Sequence, residues 1–146
     1  MTADPAVDEA IAAVEDQLSL VFTRARAIWK QAAELIHPDL QPAGYKVLAS
    51  IVRLGPTNAH VLSDQLEMDK SVISRQVRVL EDLGLVVSRP DERDGRLRVL
   101  EPTEEATERV ASVRAHNQAR VRTALAQRSP EELRVFADML RILTEA

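Results

Sequence analysis

Residues 69–96 read DKSVISRQVRVLEDLGLVVSRPDERDGR. Ile73, Val77 and Leu80 recur at helical spacing, with Val72 and Leu83 beside them, and the run stops at Gly84. This pattern predicts a helix that Asp69 can cap and that Gly84 closes in the left-handed conformation. The opposite face carries Lys70, Ser71, Ser74, Arg75 and Arg78, with Ser71, Arg75 and Arg78 at i, i+4 and i+7. After Gly84, two runs rich in branched residues, LVV at 85–87 and RLRVL at 96–100, flank a charged turn. They predict a β-hairpin with Arg89, Arg93, Arg96 and Arg98 crowded around its tip.

Upstream of this helix, Asn58 to Leu66 reads as a short helix with Val61, Leu62 and Leu66 inward. The tight connection Glu67-Met68-Asp69 joins the two into a helix-turn-helix. A polar helix face with two hydroxyls and two guanidiniums suits the major groove of DNA. There arginine reads guanine through O6 and N7, and hydroxyls reach phosphates or base edges. A hairpin beside that helix is a wing, and its arginines suit the narrow, electronegative minor groove. Asp91 and Asp94 are expected to pair with nearby arginines and shape the tip. A solvated charged turn is the plain alternative for an isolated hairpin, and adjacency to the helix-turn-helix argues against it.

The remaining chain is helical. From Val7 to Leu35 apolar residues follow steps of four and three (Val7, Ile11, Val14, Leu18, Val21, Ala25, Ile28, Ala32, Leu35), widened by Phe22, Trp29 and Ile36. This is a 3.5-residue seam, too long to bury on one small domain, so a second subunit is expected against it. His37-Pro38 ends that helix. Pro42 starts another, with Tyr45, Leu48, Ile51 and Val52 inward, ending at Gly55-Pro56. Pro102-Thr103 opens a fifth helix, with Glu104 and Glu105 in its first turn. Ser129-Pro130-Glu131-Glu132 is a capping box that starts the last, whose stripe is Leu133, Phe136, Leu140 and Leu143.

These residues carry a family resemblance. The module resembles the winged helix of the MarR family of bacterial transcription regulators. Leu80, Gly84, Leu85 and Val86 match the family's Leu-x-x-x-Gly-Leu-Val. Asp91, Arg93 and Arg96 match its wing pattern of Asp-x-Arg-x-x-Arg, and Thr103 follows. The match by motif covers 58–106, and the helix order covers the whole chain. Two residues depart from the pattern. Pro102 precedes Thr103 where the family has leucine, and Ala106 stands where it has glycine. Both touch the wing-to-helix junction and leave the DNA-facing residues intact.

The fold expected is mainly α with a small β-hairpin wing. It divides into an N-terminal helix for dimerisation (1–41), a winged helix-turn-helix (42–102) and C-terminal dimerisation helices (103–146). The resemblance implies a homodimeric repressor on a palindromic operator, with half-sites about one helical turn apart. Expected DNA-binding residues are Lys70, Ser71, Ser74, Arg75, Arg78, Arg89, Arg93 and Arg96. The resemblance also implies a small aromatic or phenolic effector between the winged module and the dimer helices. Trp29, His37 and Tyr45 lie near that junction, although Trp29 and Tyr45 equally suit an ordinary core.

Composition agrees with this reading. The 146-residue chain has a formal net charge of -4, yet residues 1–20 hold five acids and no base, while seven bases lie between Lys70 and Arg98. A local basic surface binds a polyanion despite net negative charge, because fields are screened beyond about 8–10 Å. Cysteine is absent, which removes disulfides, thiolate chemistry and thiol-based redox sensing. His37, His60 and His116 lie far apart, and no carboxylate cluster has ligand spacing, so no metal or cofactor is expected. No phosphate-cradling loop or Gly-x-Ser-x-Gly occurs, which argues against an enzyme. No apolar run is long enough for a bilayer and the N-terminus is acidic, so a cytoplasmic protein is expected. The rival class is a winged helix that docks on another protein. Steeply salt-dependent binding to duplex DNA separates the two.

Overall fold

The computed structural model describes residues 4–146; residues 1–3, at the head of the expected N-terminal segment, lie outside them. The elements are α1 (Pro5–Ile36), α2 (Pro42–Leu54), α3 (Ala59–Leu66), α4 (Lys70–Asp82), β1 (Val86–Pro90), β2 (Arg98–Pro102), α5 (Glu104–Leu125) and α6 (Pro130–Glu145). The chain forms two compact units, the first running to Val110 and the second from Ala111 to Ala146.

α1 begins two residues before the apolar seam. Asp4 caps it by accepting the Ala6 N–H at 3.0 Å, and Pro5 takes the first helical position. Its last turn enters the core through Ala32, Ala33 and Ile36. The C-terminal carbonyl of Ile36 accepts a hydrogen bond from Arg109 of α5, whose guanidinium also pairs with Glu105 at 2.6 Å. A cation at a helix C-terminus satisfies an orphan carbonyl and opposes the helix dipole.

The core of the first unit is aliphatic. Leu48, Ile51, Leu62, Ile73, Leu80, Leu85, Leu100 and Val110 are buried, each worth about 1.5–3 kcal/mol relative to exposure. Asn58 caps α3 through the Val61 N–H. In the turn, Glu67 takes the left-handed conformation at φ 52, and the Met68 N–H bonds back to Ser63. Asp69 occupies the cap position of α4, but its side chain makes no capping bond. Its backbone carbonyl accepts the Ile73 N–H instead, and the exposed carboxylate stays in solvent.

α4 closes as its glycine requires. Gly84 has φ 75, its N–H bonds to Glu81, and the Leu85 N–H bonds to Leu80. This pair of bonds is the Schellman closure, and Gly84 provides it without the penalty of a Cβ. β1 and β2 then pair antiparallel, with Ser88 opposite Leu100 and Pro90 opposite Arg98. A third segment joins β2 from its other side. Thr57 donates to the Leu100 carbonyl at 3.0 Å and accepts from the Leu100 N–H at 2.7 Å.

The two departures from the family pattern fit this junction. Thr103 donates its N–H to Leu85, and Asp91 donates to Leu97. Alternation between these bonded positions places Pro102, opposite Val86, at a non-bonded site of the β1 ladder. Its missing N–H therefore costs no bond to β1. Pro102 thus ends the strand rather than opening the helix. Thr103 opens α5, its hydroxyl accepting the Ala106 N–H at 3.3 Å while reaching the Gly84 carbonyl at 3.0 Å. Ala106 is fully buried.

In the second unit, α6 opens with the expected capping box, Ser129 Oγ to the Glu132 N–H and Glu132 Oε1 to the Ser129 N–H. No residue of α6 is buried, and Phe136, Leu140 and Leu143 stand exposed. Along α1 the seam is equally open, since Val7, Ile11, Val14 and Val21 are each about half exposed. Among the described residues no helix is long and apolar enough to cross a membrane.

Candidate nucleic-acid interface

α4 sorts its side chains as its periodicity requires. Ile73, Val77 and Leu80 are buried, while Lys70, Ser71, Ser74, Arg75 and Arg78 are exposed. Among the described residues, Lys70, Arg75 and Arg78 form no ion pair. Their charge is therefore available to an external anion.

The hairpin lies beside this face. A groove of about 510 Å³ runs between α4 and the wing, bringing together Lys70, Ser74 and Arg78 with Arg96 and Arg98. Glu81 is the one acid lining it. Ser71 and Arg75 lie outside this groove, exposed on α4. A second groove, of about 340 Å³, is lined by Arg89, Asp91 and Arg93 with Thr57 and Val99. The split follows from strand alternation. Arg98 and Leu100 share one face with Ser88, and Arg89, Val99 and Glu101 share the other.

The wing arginines differ in what they already hold. Arg98 donates to the Ser88 carbonyl at 3.1 Å and to its Oγ at 2.8 Å. Arg89 pairs with Glu101 at 3.0 Å. Arg96 pairs with Asp94 at 3.2 Å, yet its side chain is 91% exposed. The Arg93 side chain forms no ion pair among the described residues. Sequence reading left Arg98 out of the candidate set. Its signal was parity, because it shares the face of apolar Leu100 and so turns toward α4. Asn58 and His60, which also line the first groove, carried no such signal.

Asp91 shapes the tip by another route than the expected pairing with arginine. Its Oδ1 accepts the N–H of Arg93 at 2.8 Å and of Asp94 at 3.1 Å, an Asx-type turn. These two amides hold its carboxyl below the ordinary range, and the charge of Arg89 adds to them. Asp94 does pair with arginine, and it also accepts the Arg96 N–H at 3.1 Å.

The residues expected around an effector sit at the α1–α2 junction. Trp29 is half-buried, with Lys46 Nζ 3.8 Å from its ring centroid. His37 ends α1, and its Nδ1 accepts the Asp39 N–H at 3.1 Å. Tyr45 is buried in α2. Both grooves described above are lined by other residues. No cluster of three or more His, Asp or Glu among the described residues is placed to hold a metal.

Known proteins share this fold. Residues 39–97 match the sequence profile of the MarR family. The chain is 24% identical over 121 residues to YxaD, an uncharacterized HTH-type transcriptional regulator of Bacillus subtilis (strain 168), covering 83% of this chain and 85% of that protein. Streptococcus pneumoniae FabT, solved in complex with DNA, superposes with a TM-score of 0.82 at 17% identity, over 92% of this chain and 95% of that one. A putative MarR family regulator of Listeria monocytogenes, solved with a 26mer DNA, gives 0.73 at 22% identity, over 88% and 86%.

The Asp91 turn predicts a pH dependence confined to the wing tip. Because its folded pKa is depressed, the order it supplies is fully present above the unfolded value of about 4 and is lost as pH falls through the lower folded value. Hydrogen exchange at the Arg93 and Asp94 amides should hold steady from neutral pH to about 4 and lose protection below it. Asp91→Ala should abolish that protection already at neutral pH. Unchanged protection in the variant would show that another group orders the tip.

Proposed function

We propose, from the premise that the chain belongs to the MarR family through its winged module, that it is a transcription regulator acting by sequence-specific binding to double-stranded DNA. One observation carries the reading. Four permanent cations, Lys70, Arg78, Arg96 and Arg98, line one groove between α4 and the wing against a single acid, in a chain of net negative charge. A groove of that sign attracts a polyanion, and the adjoining helix face is of a width that enters the major groove. Ser71, Ser74 and Arg75 meet base edges and phosphates in this reading, while Arg93 and Arg96 reach the backbone and minor groove. Arg89 joins them once Glu101, which holds it at 3.0 Å, gives way.

The regulator acts as a homodimeric repressor on a palindromic operator. Supporting this are the exposed seam of α1 and the exposed stripe of α6, which would cover one another across a two-fold axis. Release by a small aromatic or phenolic ligand at Trp29, His37 and Tyr45 completes the reading. It is supported by a half-buried indole with an ammonium over its ring, a pairing suited to an aromatic anion.

Four measurements test these statements. On the DNA upstream of its own gene, Arg75→Ala should cost about 1–3 kcal/mol and relax discrimination at one base position per half-site. Arg96→Ala should weaken binding to cognate and scrambled duplexes alike and reduce the salt slope by about one contact per subunit. If Arg96→Ala leaves both affinity and slope unchanged, the wing does not touch DNA. Sedimentation should find a dimer at micromolar concentration, and a folded monomer there would sink the assembly. Trp29→Ala should lose the response to phenolic ligands while keeping DNA affinity; equal loss of both would mark Trp29 as packing alone.

A further inference from the structure

Of the wing's arginines, Arg89 is the one held by a carboxylate on the face turned away from α4. Arg89 stands opposite Val99, and Val87 stands opposite Glu101, so Arg89 and Glu101 are diagonal neighbours on one face of the hairpin. Their charged groups meet at 3.0 Å, with side chains 48% and 34% exposed. Arg89 also projects along the second groove, beside Arg93 and Asp91.

A carboxylate on a guanidinium occupies the position a phosphate oxygen takes in a protein–DNA contact, with the same charge and the same hydrogen-bond geometry. An ion pair this exposed is weak enough to exchange for a phosphate. Arg93, on the same groove, has no carboxylate to give up among the described residues. Arg89 and Arg93 therefore present equal formal charge to DNA but unequal availability.

We propose that Glu101 is an affinity-setting residue: it holds Arg89 as an internal stand-in for a DNA phosphate, so that Arg89 contacts DNA only by exchanging Glu101 for the nucleic acid. The proposal rests on the DNA-binding reading above and deepens it. Asp91 lines the same groove, and the charge of Arg89 adds modestly to the two amides that keep that carboxyl ionised. The exchange also gives the wing a role for its acids that pure attraction does not. They lower non-specific attraction to any polyanion, and they yield only where the duplex backbone follows the wing closely enough to replace them. Discrimination between sites of different groove shape then comes from the cost of that exchange.

A double-mutant cycle on the full-length protein tests this. Wild type, Glu101→Gln, Arg89→Ala and the double variant are titrated with a duplex from the upstream region of the gene and with a scrambled duplex of equal length, over a salt series. Glu101→Gln should tighten binding by about threefold or more per subunit at low salt and steepen the salt slope by about one contact. The gain should be larger on the scrambled duplex, so the ratio between the two duplexes should fall. Removing a negative charge near DNA also helps without Arg89, and the cycle separates the two effects. In the Arg89→Ala background most of the gain should vanish. An equal gain in both backgrounds overturns the proposal in favour of simple repulsion, and no gain overturns it outright. Glu101→Thr, a residue suited to a strand, should repeat the pattern, and thermal melts of each variant verify folding. Wild type that binds neither duplex in a salt-dependent way removes the underlying DNA reading and this proposal with it. That result is distinct from a binding wild type whose Glu101→Gln gain ignores Arg89.

Discussion

The reciprocal backbone pair between Thr57 and Leu100 is the constraint on which the site depends. A two-stranded hairpin is marginal in water by itself. Here β2 becomes a middle strand, with β1 on one side and the segment before α3 on the other. Leu100 and Thr57 are both buried, so these bonds are shielded from competition by water. The pair also decides orientation. With Leu100 turned into the core, strand alternation sends Arg98 toward α4 and Arg89 with Glu101 to the opposite face. A shift of one residue would exchange those faces and leave Leu100 in solvent. Thr103 completes the anchorage by bonding the wing's base to the end of α4 while capping α5.

On that scaffold the charges are apportioned rather than merely concentrated. Among the described residues the cations of α4 form no ion pair, those of the wing have several partners, and the partners differ in kind. Arg98 is held by neutral oxygens of Ser88, which leaves its charge uncompensated. Arg89 is held by Glu101, which cancels it. Asp91 spends its lone pairs on backbone amides, so its contribution is to tip geometry more than to neutralising arginine. An acidic chain can therefore maintain a basic face, since residues 1–20 hold five acids and no base, and exposed charges more than about 8–10 Å apart are largely screened.

α1 shows a different imbalance. At 1.5 Å per residue its 32 residues extend about 48 Å, well beyond a compact unit of this size. Its last turn is core, and Ile36 is tied to α5 through Arg109. Its first five turns keep Val7, Ile11, Val14 and Val21 in solvent at a regular spacing. Side chains of this kind on a repeating seam are what the proposed dimer would cover.

Much of this architecture was legible in the sequence, because it is governed by local periods and caps. The 3.5-residue seam, the α4 stripe of Ile73, Val77 and Leu80, the Gly84 terminus and the Ser129–Glu132 box each depend on residues within a few positions of one another. The polar face of α4 follows from the same period, so Lys70 to Arg78 could be named as candidates without coordinates. What the sequence could not specify is contact between distant segments. The Thr57–Leu100 pair spans 43 positions and uses only backbone groups, which every residue but proline has in full. The division of arginines between Ser88 and Glu101 depends on the register across the hairpin, which this pair holds in place. Side-chain type determined that the wing would be charged. Only the tertiary structure decided which charges remain free, because pairing is a matter of distance across strands and not of order along the chain.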